Sequence, residues 1–251
     1  AVLAAAPAVL KSAGFGDMVA KYIALADWRI AALTVGEYYC DRIAALSANA
    51  VEKIVRLADK VTAADEEAAG AIMEALVLTG LCMGFADSVR PASGAEHVLS
   101  HYWEIKKLQN GELSDFHGRK VGVATVLINA VYRDLAGIER VHPRAEDVDW
   151  DAVQAAYGPG LADDMMKANR PTVTAQIQPE TLAAQWGTIR AIVRETLPAQ
   201  DELLRLMRLA GAPTDIDQIG VSPALCAQGL EYHAFMRYRL TLMRLRPMLG
   251  I

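Results

Sequence analysis

The sequence predicts an all-α protein that forms one helical domain over residues 1–251. Ala, Leu, Met, Glu, Arg and Lys dominate the chain, and these residues favour helices over strands. Long stretches place apolar residues three and four positions apart, which is the spacing of an amphipathic helix. We find no internal repeat and no low-complexity linker that would divide the chain. Since 53% of the residues are hydrophobic, there is ample material for a buried core.

The helical spacing predicts the elements of the first half in order. Thr62 to Asp65 supply capping chemistry for one helix, and Asn110 to Gly118 form a turn-rich loop. Val121 to Leu135 is apolar on nearly all sides, so we expect it to lie at the centre. The other predicted helices of this half are Asp17 to Tyr39, Cys40 to about Lys60, Asp65 to Asp87, and a short helix after Gly94 with His97 and His101.

The second half continues the same pattern, with a loop from Ala210 to Gly220. The helices predicted there are Asp147 to Tyr157, Pro179 to Thr196, Ala199 to Leu209, and Ser222 to about Leu245. The last of these carries four arginines: Arg237, Arg239, Arg244 and Arg246. Such a basic amphipathic helix could touch lipid or a partner. The sequence favours instead a packed helix with one solvated face.

Composition excludes several classes of function. A formal net charge of −5 argues against nucleic acid as a partner, because phosphate binding needs a concentrated basic face. Three widely spaced cysteines form no disulfide framework and favour a reducing cytosol. No uninterrupted apolar run approaches 18 to 20 residues, so we expect no membrane span. The chain also has no GxGxxG turn and no P-loop, hence no complete dinucleotide-binding domain.

Three of the five histidines lie close together in the sequence. His97 and His101 are four residues apart and share one face of a helix. His117 follows after a loop, at or just before the start of the next helix. Imidazoles gathered in this way could bind a divalent metal. The alternative is that they are ordinary polar residues with local hydrogen bonds, and spacing alone leaves both open.

A carboxylate for such a metal site lies early in the chain. "AGFGDMVAKYIALADW" sets Asp17 behind Gly14 and Gly16, which let the backbone turn sharply or approach a ligand closely. A catalytic metal commonly takes a carboxylate as a third ligand. By itself, Asp17 is better explained as the N-cap of the first helix, worth about 1 kcal/mol.

Three stretches together resemble a known family. "AGFGDMVAKYIALADW", "SGAEHVLSHYWE" and "HGRKVGVAT" occur in the order and approximate spacing of the sn-glycerol-1-phosphate dehydrogenases. These belong to the iron-containing alcohol dehydrogenase and dehydroquinate-synthase-like superfamily. "AGAPTDIDQIGVS" and "MRYRLTLMRL" are similar to the end of that family. The resemblance covers nearly the whole chain.

The resemblance implies a role for each motif residue. Asp17, His97 and His117 match the metal ligands, and the metal would be Zn, Ni or Fe. His101 matches a residue near the substrate and would relay a proton. Lys21 and Glu96 would face the same cleft and contact substrate. Lys21, Arg119 and Lys120 are candidates for balancing a phosphate, although solvation at the surface is the favoured role for each.

The resemblance also implies a fold and an activity. The fold would be the helical C-terminal domain of that superfamily, and the N-terminal Rossmann-like domain is absent from this chain. We therefore expect a fragment of a longer cytoplasmic enzyme that reduces dihydroxyacetone phosphate with NAD or NADP, or acts on another phosphorylated triose or polyol. The protein could form a homodimer, and the sequence does not resolve its oligomeric state. The alternatives are a dehydrogenase for a different polyol and a non-catalytic helical scaffold that retains the metal site.

Overall fold

A computed structural model describes residues 1–251, and every regular element in it is helical, as the sequence predicts. Short single turns of 3-10 helix connect several of the α-helices. The α-helices are α1 (Ala8–Val19), α2 (Lys21–Val35), α3 (Asp41–Val55), α4 (Glu66–Ala86), α5 (Ala95–Gln109), α6 (His117–Gly137), α7 (Trp150–Tyr157), α8 (Ala162–Ala168), α9 (Pro179–Thr196), α10 (Gln200–Leu209), α11 (Pro223–Tyr232) and α12 (Leu242–Leu245).

Helix α6 lies at the centre of the molecule, which confirms the expectation for this stretch. Its residues contribute to both large apolar clusters. One cluster joins α6 to α2, α5 and α9, and it includes Trp103 and Tyr132. The other joins α6 to α1, α3, α4 and α10, and it includes Phe15 and Met207. A helix that is apolar on most sides can bury all of these sides only when other helices surround it.

The prediction of one long first helix over Asp17 to Tyr39 is wrong. The chain forms two helices, α1 and α2, which meet at Ala20. Ala20 has φ −56° and ψ −26°, so the junction needs no glycine or proline and leaves no signal in the sequence. Lys21 Nζ donates to the Asp17 carbonyl at 2.7 Å and satisfies one free acceptor at the end of α1. Asp17 therefore lies in the last turn of α1 and is not an N-cap.

The predicted helix from Ser222 to Leu245 is also interrupted. Helix α11 ends at Tyr232, and α12 begins only at Leu242 after a single 3-10 turn and an irregular stretch. Arg244 is not on a solvated face, because its side chain is 1% exposed and pairs with Glu146. Arg237 and Arg239 lie in the irregular stretch. Because this stretch is not helical, Arg237 and Arg239 reach the cleft described below.

Helix α4 is the one helix that is long and apolar enough to cross a membrane, contrary to our expectation that none would qualify. Only 39% of its apolar window is buried. The inward side of α4 packs in the same cluster as α1 and α3, and the Asp65 side chain caps its first turn at Ala68 N, 2.8 Å away. Because helices that do not cross a membrane can pass the same length and composition test, a single such helix is weak evidence of a span.

Candidate metal centre

Three helix ends bring Asp17, His97 and His117 together. Asp17 lies in the last turn of α1, His97 in the first turn of α5, and His117 is the first residue of α6. Asp17 Oδ1 is 3.3 Å from His97 Nε2 and 3.7 Å from His117 Nε2. One potential ligand atom from each residue lies within 4.8 Å of the others. Residues 80 and 100 positions apart in the chain thus converge on one point.

Glycine packing explains why α1 and α6 approach so closely. A Cβ atom on Gly16 would overlap the carbonyl oxygen of Gly118, and a Cβ on Gly118 would overlap that of Ala13. A Cβ on Gly122, one turn further along α6, would lie 3.2 Å from the Gly16 Cα. Backbone can meet backbone here only without side chains. The glycines flanking Asp17 and His117 therefore set the distance between these two residues.

Glu96 lies behind the site and not on the cleft wall. Its side chain is 0% exposed, and Oε1 lies 2.6 Å from His97 Nδ1. Gly94 N also donates to this oxygen, at 2.9 Å. A carboxylate at Nδ1 holds the proton on that nitrogen in the neutral ring, which leaves Nε2, on the Asp17 side, as the nitrogen that can bind a cation. Glu96 orients His97 and does not line the cleft, whereas the family resemblance implied that it contacts the substrate.

Lys21 lines the cleft as expected, but its ammonium group is already paired. Nζ is 2.8 Å from Asp17 Oδ2, and the side chain is 2% exposed. Burial opposes ionisation of Asp17, yet Lys21 and His97 outweigh this effect and hold the pKa of the carboxyl well below its usual range. Asp17 is therefore ionised at any physiological pH. An ionised carboxylate is the form that a cation requires.

The three imidazoles differ in their tendency to take up a proton. Burial disfavours the charged form of His97, but hydrogen bonds to Asp17 and Glu96 outweigh it and raise its pKa. Burial and the neighbouring His97 lower the pKa of His117 to about 4. Burial likewise lowers the pKa of His101, against an opposing hydrogen bond to Glu104. His117 is neutral near pH 7, as a metal ligand must be.

His101 lies beside His117 with a charge network behind it. Their ring centroids are 5.3 Å apart, and His101 Nδ1 is 3.2 Å from Glu104 Oε2. Lys120 Nζ pairs with Glu104 Oε1 at 3.1 Å and donates to Ser114 Oγ at 2.9 Å. His101, Glu104 and His117 form a second set of potential ligands. This second set contains no buried residue, whereas His97 of the first set is buried and is held by Glu96.

These side chains open onto a cleft of about 420 Å³ that also holds two arginines. The volume suits a small ligand. Arg237 and Arg239 line the cleft with Asp17, Lys21 and the three clustered histidines. Arg119 and Lys120 are not among its lining residues. A larger cleft of about 590 Å³ near the C-terminus is lined by no cluster of potential metal ligands.

The helical spacing predicted a helix through Arg237 and Arg239 and so did not indicate them as cleft residues. One signal could have found them. In "RYRLT", Arg237 and Arg239 alternate with bulky residues and precede a β-branched Thr241. A period of two favours an extended segment over a helix. In an extended segment, residues two apart point to the same side, and in the structure both arginines line the same cleft.

The residues present fit a divalent cation. The donor set is one carboxylate and two imidazoles, with a buried carboxylate supporting one imidazole from behind. Nitrogen and oxygen donors in this combination suit Zn, Fe(II) or Ni. Asp17 and His117 are partly exposed to the cleft, so a ligand position would stay open toward it. This is the arrangement of catalytic rather than structural sites.

Curated proteins resemble this chain over most of its length. A protein of Bacillus licheniformis named glycerol-1-phosphate dehydrogenase, NAD(P)+, is 34% identical over 233 residues, which are 91% of this chain and 54% of that protein. A protein of the same name from Bacillus subtilis is 30% identical over 247 residues, 97% of this chain and 52% of that protein. A protein of the same name from Aeropyrum pernix is 33% identical over 201 residues, which are 78% of this chain and 54% of that protein.

The chain spans about half the length of the curated relatives it matches. No protein-family model matches it. The match to the Bacillus subtilis protein nevertheless spans α1, α5 and α6, which carry the candidate metal-centre residues, since it covers 97% of this chain. The chain belongs to the family of the glycerol-1-phosphate dehydrogenases.

Proposed function

We propose that this chain is the metal- and substrate-binding part of an NAD(P)-dependent dehydrogenase that acts on a phosphorylated triose. The reaction would reduce dihydroxyacetone phosphate to sn-glycerol 1-phosphate. The observation that carries the proposal is the convergence of Asp17, His97 and His117 on one open cleft. The names of the relatives, which state glycerol 1-phosphate and NAD(P)+, support the choice of reaction.

Asp17, His97 and His117 would hold the divalent cation, which is Zn, Ni or Fe. When bound at an open site, such an ion polarises a carbonyl oxygen as a Lewis acid. Lys21 neutralises Asp17 from the side and is assigned to the cleft wall near the substrate. Glu96 holds the His97 ring through Nδ1. We therefore assign it the role of orienting this metal ligand instead of direct substrate contact.

Reduction of a ketone needs a hydride at carbon and a proton at oxygen. The hydride would come from NADH or NADPH, as the names of the relatives indicate. We assign the proton to His101, whose ring lines the cleft beside His117. Its hydrogen bond to Glu104 fixes the ring and offers a path for exchanging that proton with solvent.

The remaining assignments follow from the family. The helical chain would correspond to the C-terminal domain of the dehydroquinate-synthase-like superfamily, and a Rossmann-like domain would hold most of the nicotinamide. We place the enzyme in the cytoplasm, in agreement with its three free cysteines. Its assembly as a homodimer is a further expectation. Neither nucleic acid nor a membrane is part of the proposed function.

The metal content of the purified chain tests whether Asp17, His97 and His117 bind a divalent cation. We would purify the chain, reconstitute it with Zn, Ni or Fe(II), and compare the wild type with His97→Ala and His117→Ala by elemental analysis. Near-stoichiometric metal is expected in the wild type and not in the variants. His142→Ala is the matched control, because His142 is exposed and outside the cleft. If no metal binds, the non-catalytic scaffold replaces the enzyme.

Substrate choice needs a second assay. A form of the protein extended to the length of its relatives would be assayed for nicotinamide oxidation with dihydroxyacetone phosphate and with unphosphorylated ketones. Faster turnover of dihydroxyacetone phosphate is expected. Preference for an unphosphorylated ketone would identify the chain as a dehydrogenase for another polyol.

A further inference from the structure

The segment from Met236 to Thr241 contributes to the lining of the cleft that holds the candidate metal centre. It is irregular and lies between α11 and α12. Arg237 and Arg239 from this segment line the same cleft as Asp17, His97 and His117.

Several buried contacts fix this segment in place. Arg239 Nη1 donates to Ser93 O at 2.9 Å and to Ser93 Oγ at 3.0 Å. Arg90 Nη1 donates to Leu240 O at 2.8 Å, and Leu242 N donates to Asp27 Oδ1 at 2.9 Å. Arg90 is itself held by a two-pronged ion pair with Glu37. These contacts hold the segment in place before any ligand binds. The entropic cost of binding is lower because the segment is already ordered.

The two arginines keep free donors toward the cleft. Arg237 makes no hydrogen bond and no ion pair with the protein, and Arg239 uses only Nη1. Burial and the neighbouring Arg90 lower the pKa of Arg239 to about 10, so it is still charged at neutral pH. Lys21 differs from both, because Asp17 already engages its ammonium group.

The charges on the cleft wall favour an anion. Lys21, Arg237 and Arg239 are cationic, and Asp17 is the one carboxylate among the lining residues. The wall therefore carries an excess of two positive charges before a cation is added at the metal centre. Unpaired guanidinium groups in a cleft recognise planar or multi-oxygen anions through paired hydrogen bonds.

We propose that Arg237 and Arg239 form the subsite for the phosphate group of the substrate. This deepens the proposed function and rests on it for the identity of the substrate. One guanidinium fork would satisfy a carboxylate, whereas two forks from alternate residues suit the three terminal oxygens of a phosphate ester. Leu76 and Met83 of α4 are apolar lining residues of the same cleft and would contact the carbon skeleton.

The test measures binding, so that it does not depend on turnover. Glycerol 1-phosphate, inorganic phosphate and glycerol would be titrated into the chain by calorimetry, with and without reconstituted metal. The wild type is expected to bind the phosphate ester at least about tenfold more tightly than glycerol. Arg237→Ala and Arg237→Gln are expected to remove about tenfold of that affinity or more, because each deletes a charge-assisted contact.

Two further variants sharpen the result. Arg239→Lys keeps the charge but cannot form a fork, so it should weaken phosphate binding less than Arg239→Ala does. Arg56→Ala is the matched control, because Arg56 is exposed at the end of α3 and lines no part of this cleft. Since Arg237 contacts no other residue through a hydrogen bond, its variants should fold and load metal as the wild type does.

The outcomes separate this inference from the proposed function. Loss of phosphate binding in the Arg237 variants with unchanged metal content supports the subsite. If the chain holds no metal but binds phosphate through Arg237, the subsite stands and the enzymatic proposal falls. If glycerol 1-phosphate binds no more tightly than glycerol, or the Arg237 variants bind it as the wild type does, the inference is overturned.

Discussion

Gly16 and Gly118 bring the first and third segments of the metal centre together by packing backbone on backbone. A Cβ atom on either glycine would overlap a carbonyl oxygen of the opposite helix. Asp17 and His117 are the neighbours of these two glycines in the chain. The distance between a carboxylate and an imidazole 100 residues apart is therefore set by two positions that carry no functional group.

We expect Gly16→Ala and Gly118→Ala to lower the free energy of unfolding by about 1 to 3 kcal/mol, the usual cost of overpacking. Both should also weaken metal binding, because α1 and α6 must separate. Urea unfolding and metal titration measure the two effects. Gly187→Ala in α9 is the control, since nothing lies near its Cβ position, and it should stabilise by about 0.5 to 1 kcal/mol. Equal stability of Gly16→Ala and wild type would contradict the packing argument.

Glu96 should control metal affinity without touching the metal. Glu96→Gln keeps the shape of the side chain but weakens its hold on His97 Nδ1, now 2.6 Å away. Loss of such a support typically costs 10- to 100-fold in metal affinity. Competition with a chelator measures the change, with Glu74→Gln on the exposed side of α4 as the control. Unchanged affinity in Glu96→Gln would mean that His97 is oriented by packing alone.

Asp27 should be the most sensitive polar position outside the metal centre. It is buried and accepts from Ala95 N at 2.8 Å, Tyr132 Oη at 2.7 Å and Leu242 N at 2.9 Å. Asp27→Ala leaves three buried donors without partners, so we expect a loss of about 3 kcal/mol or more in urea unfolding. Tyr132→Phe removes one of these donors and should cost about 1 to 2 kcal/mol. A smaller loss in Asp27→Ala than in Tyr132→Phe would refute this assignment.

Acid should destabilise the fold through His233. Burial lowers the pKa of His233 from its ordinary 6.5 to about 4, and Nδ1 lies 2.7 Å from Gly229 O. Between these two pH values the unfolded chain takes up a proton and the folded chain does not. The contribution of His233 to stability is therefore present above about pH 6.5 and lost as the pH falls toward 4, by roughly 3 kcal/mol in total.

The pH dependence of unfolding in wild type and His233→Gln isolates this contribution. The difference in unfolding free energy between the two proteins should shrink as the pH falls from 6.5 to 4, because glutamine does not titrate. Asp27 titrates in an overlapping range, since burial raises its pKa to about 6, and it opposes the change. Comparing the two proteins at each pH cancels that term. A constant difference would show that His233 is not held neutral.

The sequence by itself determined the helical class and several element boundaries. Pro179–Thr196 forms α9 as expected, and Asp65 caps α4 one residue from the expected start. These features depend on spacing, capping and proline, which act over one or two turns. The motifs around Asp17, His97 and His117 predict the metal ligands through their resemblance to a family, and the geometry of those three residues is compatible with that prediction.

Only the tertiary structure decided what surrounds those residues. The break at Ala20 has ordinary helical angles and is held by Lys21 and by packing, so no local signal marks it. Glu96 faces away from the cleft because α5 buries that side of its first turn. Arg237 and Arg239 reach the cleft because contacts to Ser93, Arg90 and Asp27, more than 140 residues away in the chain, hold their segment out of a helix. The alternation in "RYRLT" favours an extended segment at most, because local periodicity cannot report contacts of that range.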